Sequence, residues 1–262
     1  MIGVLGAKKL MRSLLVFAPR LQDTRFRAEA RFIRAFRRPY QPEFEGLRAL
    51  PFHDPLVLDI GCNRGISIET ILAMRPDARV IGFEANASLA ADTKRWFAAD
   101  PRVEILPIGL GNRAGSIDIH VPRYRNYRFD GLSSLDRSLA TIVLVNDYVY
   151  WFDPRHLRVE TMSSAISRLD DLKLSPAVIK LYVQGYEEQV LDGATETIRS
   201  HEPVILAPSG RAEIDAKLRS KGYKRFQWLN GNFVPEIDGG YCVYYMTASR
   251  YEKLGPGLVA NS

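Results

Sequence analysis

The sequence predicts an α/β fold: a mostly parallel sheet with helices on both faces and an antiparallel strand near the C-terminus. Three observations carry this. From Leu56 onward short apolar runs alternate with segments of helical periodicity. The first run opens directly onto a glycine-containing turn, "DIGCNRG". A later run, "AVIKLYV", is almost continuously apolar, as a strand covered on both faces must be.

The elements follow in order. "LVLDI" reads as a buried strand and "GISIETILAM" as a helix ending before Pro76. "RVIGFE" is a second strand, "SLAADTKRWFAA" a second helix and "VEIL" a third strand. "GSIDIHV" alternates apolar and polar, as a half-exposed strand does. Residues 122–158 lack a clean period and read as irregular, rich in Arg, Tyr and Asp. Then come "VETM" as a strand, a helical turn at "SAISRLDDL", the buried strand "AVIKLYV" and "EEQVLDGATETIRS" as one helix. "PVILA" is a strand, "AEIDAKLRSKG" a helix with a glycine stop, and "YCVYYMTA" the final strand.

Ahead of this alternation lies a basic leader. The first 50 residues hold 11 Lys+Arg against 4 Asp+Glu, a surplus of 7 in a chain of net charge +6, which leaves the other 212 residues at −1. Nucleic-acid binding by the main domain would need a basic stripe there, so the balance argues against it. "TRFRAEARFIRAFRR" (24–38) sets Phe26, Ala30 and Ile33 at helical spacing, with Phe32 and Phe36 beside them. Such a helix either packs on the domain or rests on an anionic membrane or acidic partner. "RRPYQPEFEG" reads as a linker, because two prolines interrupt any helix. The division expected is therefore a basic helical segment and linker at 1–50, one main domain at 51–254 and a tail at 255–262.

With 262 residues, 46% hydrophobic and 25% charged, the chain has the makeup of an ordinary globular protein. Cys62 and Cys242 stand far apart without a CxxC or a Cys/His cluster, so neither a disulfide framework nor a zinc site is expected. "SLLVFAP" follows basic residues as a signal peptide would, but it is short and no small-residue cleavage site precedes Arg20. No apolar stretch approaches the ~20 residues a membrane span needs. A cytoplasmic location is expected, with membrane association through 24–38 left open.

Chemistry concentrates at two strand ends. After the first strand Asp59, Gly61, Asn63 and Gly65 form a turn whose glycines admit a ligand close to the backbone and whose helix N–H groups face it. A pyrophosphate fingerprint would be G-x-G-x-x-G; the spacing here is G-x-x-x-G behind an acidic residue, which suits a cationic nucleoside better than a dinucleotide. A nicotinamide-dependent oxidoreductase is accordingly disfavoured. The second strand ends in Glu84, 25 positions after Asp59, where a carboxylate can accept both hydroxyls of a ribose. The second strand end lies in "VIKLYVQGYEE", where Lys180, Tyr182 and Gln184 alternate and so share one face of an otherwise apolar strand.

Together "VLDIGCNRG", "VIGFEANAS", "ILPIGLGNRAGSIDI", "LSSLD", "RLDDL" and "VIKLYVQGYEEQVLDGATETIRSHEPVIL" resemble the FkbM family of class I methyltransferases, over about Leu56 to Leu206. The resemblance implies a Rossmann-like fold and S-adenosylmethionine-dependent O-methylation of a small hydroxylated acceptor, often a sugar or polyketide; no metal is expected. It assigns Asp59, Gly61, Asn63 and Gly65 to the cofactor turn and Glu84 to the ribose. Asn86 and Ile108–Gly109 would lie beside the ribose and adenine. Ser133 and Ser134 would line the acceptor pocket or else cap a turn, Gln184 would meet the acceptor, and Lys180, Tyr182 and Glu187 would form the catalytic strand tip.

One departure matters: Tyr182 stands where the family has aspartate, and Pro208 where it often has glutamate. A tyrosine, with a pKa near 10, supplies no negative charge at neutral pH. Three outcomes stay open. Glu187, or a histidine such as His120 or His156, takes the proton; or the chain binds without catalysing, as a regulatory relative; or Tyr182 faces the core. The arginines and aromatics of "PRYRNYRFDG" and "DYVYWFD" suit a sugar acceptor or an ordinary surface loop. Asp170 and Asp171 are expected in a loop before a helix rather than around a metal. A homodimer is compatible with this sequence.

Overall fold

The computed structural model describes residues 2–18, 20–135, 137–142, 148–237 and 239–254. Two helices, α1 (Ile2–Phe17) and α2 (Arg20–Phe36), and a 3₁₀ segment at Pro42–Ala49 come first. There follow β1 (Leu56–Ile60), α3 (Ile66–Met74), β2 (Arg79–Phe83), α4 (Ala87–Trp96), β3 (Val103–Leu106), β4 (Gly109–Leu110), β5 (Gly115–Tyr124) and β6 (Tyr127–Arg128). Next are α5 (Arg137–Ile142), β7 (Leu157–Ser167), β8 (Val178–Leu181), α6 (Glu187–Asp192), α7 (Thr195–His201) and β9 (Val204–Pro208). The last are α8 (Ala212–Arg219), β10 (Tyr223–Leu229), β11 (Asn232–Pro235), β12 (Cys242–Thr247) and α9 (Ala248–Glu252). Among the described residues no helix is long and apolar enough to cross a membrane.

The chain forms two compact units, Ala30–Gly115 with Ala165–Ser262, and Met1–Glu29 with Ser116–Ser164. This division differs from the expected 1–50 and 51–254: the larger unit takes in α2 from Ala30 and gives up an internal stretch. The expected tail, 255–262, lies outside the described residues.

In the larger unit eight strands run in the order β11-β10-β12-β9-β8-β1-β2-β3. β3, β2, β1, β8 and β9 are parallel, and β12 is antiparallel to β9. This is the Rossmann-like class I architecture expected, antiparallel C-terminal strand included. Chain order runs outward from β1 to β3 on one side and resumes at β8 on the other. The switch point therefore falls between β1 and β8, where ligands meet the carboxyl ends of the strands.

Alternation along the strands feeds two cores. Val57, Val178, Val204 and Leu206 join the core on one face; Leu58, Ile60, Ile179, Leu181 and Ile205 join the other. The first core also takes Phe44 and Leu47, so the expected linker is no loose connection. Phe44, Leu47 and Leu50 recur at the three-residue spacing of a 3₁₀ turn, and all are buried. The Arg75 guanidinium secures that segment by donating to the carbonyls of Leu50 and Phe52, at 2.8 and 2.5 Å. Of α2, Ala30 and Ile33 are buried in this unit, and Arg34 grips the buried Glu69 with two 2.5 Å bonds. That end packs, as the first reading of 24–38 expects.

Three other elements differ from expectation. "SAISRLDDL" extends β7 to Ser167 before a short 3₁₀ turn at Leu169–Leu172. "EEQVLDGATETIRS" is two helices, α6 and α7, hinged at Gly193, where an added Cβ would sit 1.8 Å from the Gly111 carbonyl oxygen. The β10–β11 hairpin adds to the expected elements; its Asn230–Gly231 turn, both residues at positive φ, is a strong hairpin signal.

In the smaller unit residues 122–158 are not irregular throughout. β5 and β6 pair antiparallel through Arg123–Arg128 and Tyr124–Tyr127. α1 buries Leu15 and Val16 against Tyr124, Tyr127, Phe129 and Val149.

Candidate active site

Two glutamates shape the carboxyl edge of the larger sheet. Glu84, just past β2, accepts from the backbone N–H of Asn63 at 2.9 Å and of Asn86 at 2.8 Å. Its carboxylate thus ties the β1–α3 turn to the start of α4. Glu187, at the start of α6, accepts from Val183 N at 3.0 Å and Gly185 N at 2.9 Å. It closes the turn after β8 in the same manner.

The β1–α3 turn is the tightest part. Gly61 and Gly65 have φ of +80° and +79°, and an added Cβ on Gly61 would sit 2.0 Å from the Tyr182 carbonyl oxygen. Gly61 N and Cys62 N both donate to Phe83 O, at 2.9 and 3.0 Å. Asn63, also at positive φ, caps Arg64 N through its side-chain oxygen, while Thr93 donates to its carbonyl at 2.8 Å. Asn86 caps α4 by accepting Leu89 N on Oδ1, yet among the described residues its buried amide nitrogen Nδ2 has no partner. Gly109 pairs with Ile166, and an added Cβ there would lie 3.2 Å from that of Ala85, so Gly109 keeps this wall thin beside Glu84.

Asp59 is 0% exposed. Ser67, the second residue of α3, donates to Oδ2, and Lys180 Nζ lies 2.8 Å from Oδ1. The same ammonium donates to Gly61 O, 2.9 Å away. Asp59, expected at the cofactor, and Lys180, expected at the catalytic strand tip, thus meet at the switch point between β1 and β8. Both side chains are turned inward, where they fix β1 to β8 and brace the glycine turn. Glu187, expected at the catalytic strand tip, is buried, and each of its oxygens accepts one backbone amide, as those of Glu84 do.

Tyr182 does not face the core. It is half-buried, its ring stacks on Tyr241 at 5.5 Å and 18°, and the two phenol oxygens are 2.5 Å apart. Tyr241, just before β12, is 49% exposed and donates its N–H to the buried Glu43 at 2.6 Å. Gln184 is partly exposed at φ +55°, its amide group without a partner among the described residues. Tyr40 belongs to the same neighbourhood: burial pushes its phenol well above the usual range, with Cys242, Asp59, Tyr241 and Tyr182 adding to the effect.

Tyr241, Tyr40 and Ser67 join this site without being among the residues that the sequence pattern singles out. Ser67 follows Gly65 by two residues and could have been read as the partner of a buried strand-tip acid. Tyr241 and Tyr40 come close only through β12 and the 3₁₀ segment, and no spacing signals that. Pro208 ends β9 opposite Cys242. Cys62 and Cys242 are free and buried, and burial holds the Cys242 thiol at about 12.

Ser133, Ser134, His120 and His156 belong to the smaller unit. Ser133 caps a turn by donating to Asp130 O at 2.7 Å, and Ser134 bridges His120 through paired backbone bonds. His120 Nδ1 lies 2.9 Å from Thr161 Oγ1, and His156 Nε2 3.8 Å from Asp153. Asp170, in the larger unit, receives Thr197 N at 2.8 Å, Thr197 Oγ1 at 2.9 Å and Glu196 N at 3.2 Å, which anchors the first turn of α7.

Known proteins include relatives of this chain. Over 151 residues the chain is 34% identical to 2-O-methyltransferase NoeI of Sinorhizobium fredii, covering 55% of this chain and 59% of that protein. The match thus spans less than two thirds of the relative. Among solved structures, methyltransferase FkbM from Methylobacillus flagellatus KT aligns at 16% identity and TM-score 0.48, covering 79% of this chain and 48% of that one. Fibrillarin of Aeropyrum pernix, solved with natively bound S-adenosyl-L-methionine, aligns at 12% identity and TM-score 0.42, covering 78% and 71%. The model of the methyltransferase FkbM domain matches residues 59–225, well over half of the sequence, and the chain belongs to this family of methyltransferases.

Proposed function

We propose that this protein is an S-adenosylmethionine-dependent O-methyltransferase acting on a hydroxyl of a small acceptor, with a sugar as the leading class. The observation that carries this reading is the pair of glutamate-locked turns at the switch point, with Gly61 and Gly65 between them. S-adenosylmethionine supplies an electrophilic methyl group on a sulfonium.

The residues present fit that cofactor. The Gly61–Gly65 backbone gives close approach, and Glu84 keeps lone pairs on both oxygens for ribose hydroxyls beyond the two amides it already accepts. Asn86 offers a buried amide donor that lacks a partner among the described residues. Asp59 acts indirectly, through Lys180 and Ser67, by holding the turn in shape.

For the acceptor, the stacked Tyr182–Tyr241 pair gives an aromatic wall of the kind on which the apolar face of a sugar rests. Its two hydroxyls and the Gln184 amide donate and accept hydrogen bonds, which orient an acceptor hydroxyl. The amino acids at the strand tip thereby position rather than deprotonate. The family's acidic position is filled by a phenol, and the acceptor proton leaves through that phenol pair or to water.

A second reading, binding without catalysis, is favoured by one observation: Glu187 and Asp59 are both engaged internally. Transfer of tritium from labelled cofactor to a panel of glycosides separates the two. Incorporation into an acceptor hydroxyl supports the enzyme. Binding of S-adenosylhomocysteine by calorimetry without any transfer supports the binder, and a site that takes NAD but not S-adenosylhomocysteine overturns both.

A further inference from the structure

The smaller unit carries an exposed apolar stripe bordered by cations. Along α1, Leu10, Leu14 and Phe17 recur at i, i+4 and i+7, one stripe of the helix, and are 46%, 62% and 70% exposed. The opposite face, through Leu15 and Val16, is the one that packs. Beside the stripe Trp151 is 81% exposed; its neighbour Tyr150 is tied to α1 by Ser13 Oγ, which accepts Tyr150 N at 2.8 Å, and by Lys9, whose ammonium lies 4.9 Å from the Tyr150 ring.

At the other end of the stripe the Arg125 guanidinium lies 5.1 Å from the Phe17 ring. Arg125 also lines a cleft of about 450 Å³, together with Arg123, Asn126, Arg155, Arg158 and Glu160. Arg123 is paired with Glu160, and Arg155 with Asp153. Among the described residues neither Arg125 nor Arg158 has a carboxylate within ion-pair distance, so the cleft holds two uncompensated cations. α1 itself contains Lys8, Lys9 and Arg12 and no acidic residue.

Exposed leucine, phenylalanine and tryptophan bordered by cations are the composition of a surface that lies in a lipid interface. The uncompensated guanidiniums suit a phosphate at headgroup depth. We propose that the smaller unit docks on anionic bilayers, with Leu10, Leu14, Phe17 and Trp151 entering the interface and the arginine cleft taking a lipid phosphate. This moves the membrane contact from residues 24–38, where the sequence left it open, to α1 and the β5–β6 hairpin. It stands or falls independently of methyl transfer.

The test is co-sedimentation of the full chain with phosphatidylcholine vesicles, with and without a one-third share of phosphatidylglycerol. Binding is expected only to the anionic vesicles, weakening with salt. It falls about tenfold in Leu14→Glu and in the double variant Arg125→Glu/Arg158→Glu, both with unchanged circular dichroism because the sites are exposed. Inorganic phosphate and glycerol phosphate in solution compete only weakly. Equal binding to neutral vesicles or no vesicle binding overturns the proposal. So does a cleft that takes free phosphate while vesicles are ignored, or a dimer in sedimentation velocity that Leu14→Glu dissolves without any vesicle binding.

Discussion

The phenol oxygens of Tyr182 and Tyr241 lie 2.5 Å apart on rings stacked at 18°. Tyr182 follows β8 and Tyr241 precedes β12, strands separated in the sheet by β9. The bond therefore reaches across the end of a third strand and joins two segments 59 residues apart. Removing one hydroxyl keeps the stack and loses only the bond. Tyr182→Phe should raise the acceptor KM several-fold, leave S-adenosylhomocysteine affinity within about twofold, and cost about 1 kcal/mol of stability. Calorimetry and steady-state kinetics on the two proteins check this; a collapse of cofactor affinity would place Tyr182 in the cofactor site instead.

Tyr182→Asp restores the acidic strand tip of the family. The new carboxylate would lie near Lys180, whose ammonium is 5.7 Å from the Tyr182 ring, and so gains a favourable charge partner. Methyl transfer or cofactor affinity should rise. Calorimetry with S-adenosylmethionine reads it directly, and undetectable binding by both proteins would count against a cofactor site at all.

Glu187→Gln separates a turn lock from a base. The amide retains one acceptor oxygen for two backbone N–H groups, so one charge-assisted bond is lost at a cost of roughly 1.5–3 kcal/mol. Tm should drop by about 3–10 °C, while the pH profile of the remaining activity keeps its shape. A rate loss beyond a hundredfold with Tm unmoved would restore Glu187 as the general base.

Lys180→Met leaves the fully buried Asp59 facing an apolar group. Removing one member of a buried pair costs about 3–5 kcal/mol, because the other charge stays desolvated. Adding Asp59→Asn should recover most of that loss, and denaturant unfolding of the two single variants and the double gives the coupling. Strictly additive losses would mean that the 2.8 Å contact does not couple the two side chains.

Much of this was legible in the sequence, and unevenly so. The parallel strands and the glycine turn announce themselves because apolar period and positive φ at Gly61 and Gly65 are local properties. Which side of a strand tip a polar residue serves is not local. Lys180 and Tyr182 share one strand face, yet Lys180 dives to Asp59 while Tyr182 turns outward to Tyr241, and only the arrival of β12 decides this. Glu84 and Glu187 read as ligand or catalytic groups because an acid at a strand end has two uses. Their capture by backbone amides depends on turns whose conformation no residue spacing announces.

Asp170 gives the acid limb of stability. Burial pushes its carboxyl up, but the amides of Thr197 and Glu196, the Thr197 hydroxyl and the Arg168 guanidinium outweigh burial and hold it below the usual carboxylate range. A folded-state pKa below the unfolded value of about 3.9 makes the bonds to α7 a stabilising contribution that is complete above about pH 4. That contribution is lost as the pH falls through the folded value. Asp170→Asn should therefore lower Tm at pH 7 by a few degrees and narrow the gap to the parent protein as the pH is taken down toward 3. Thermal unfolding across that range measures both; a gap that stays constant down to pH 3 would mean that Asp170 holds α7 by shape rather than by charge.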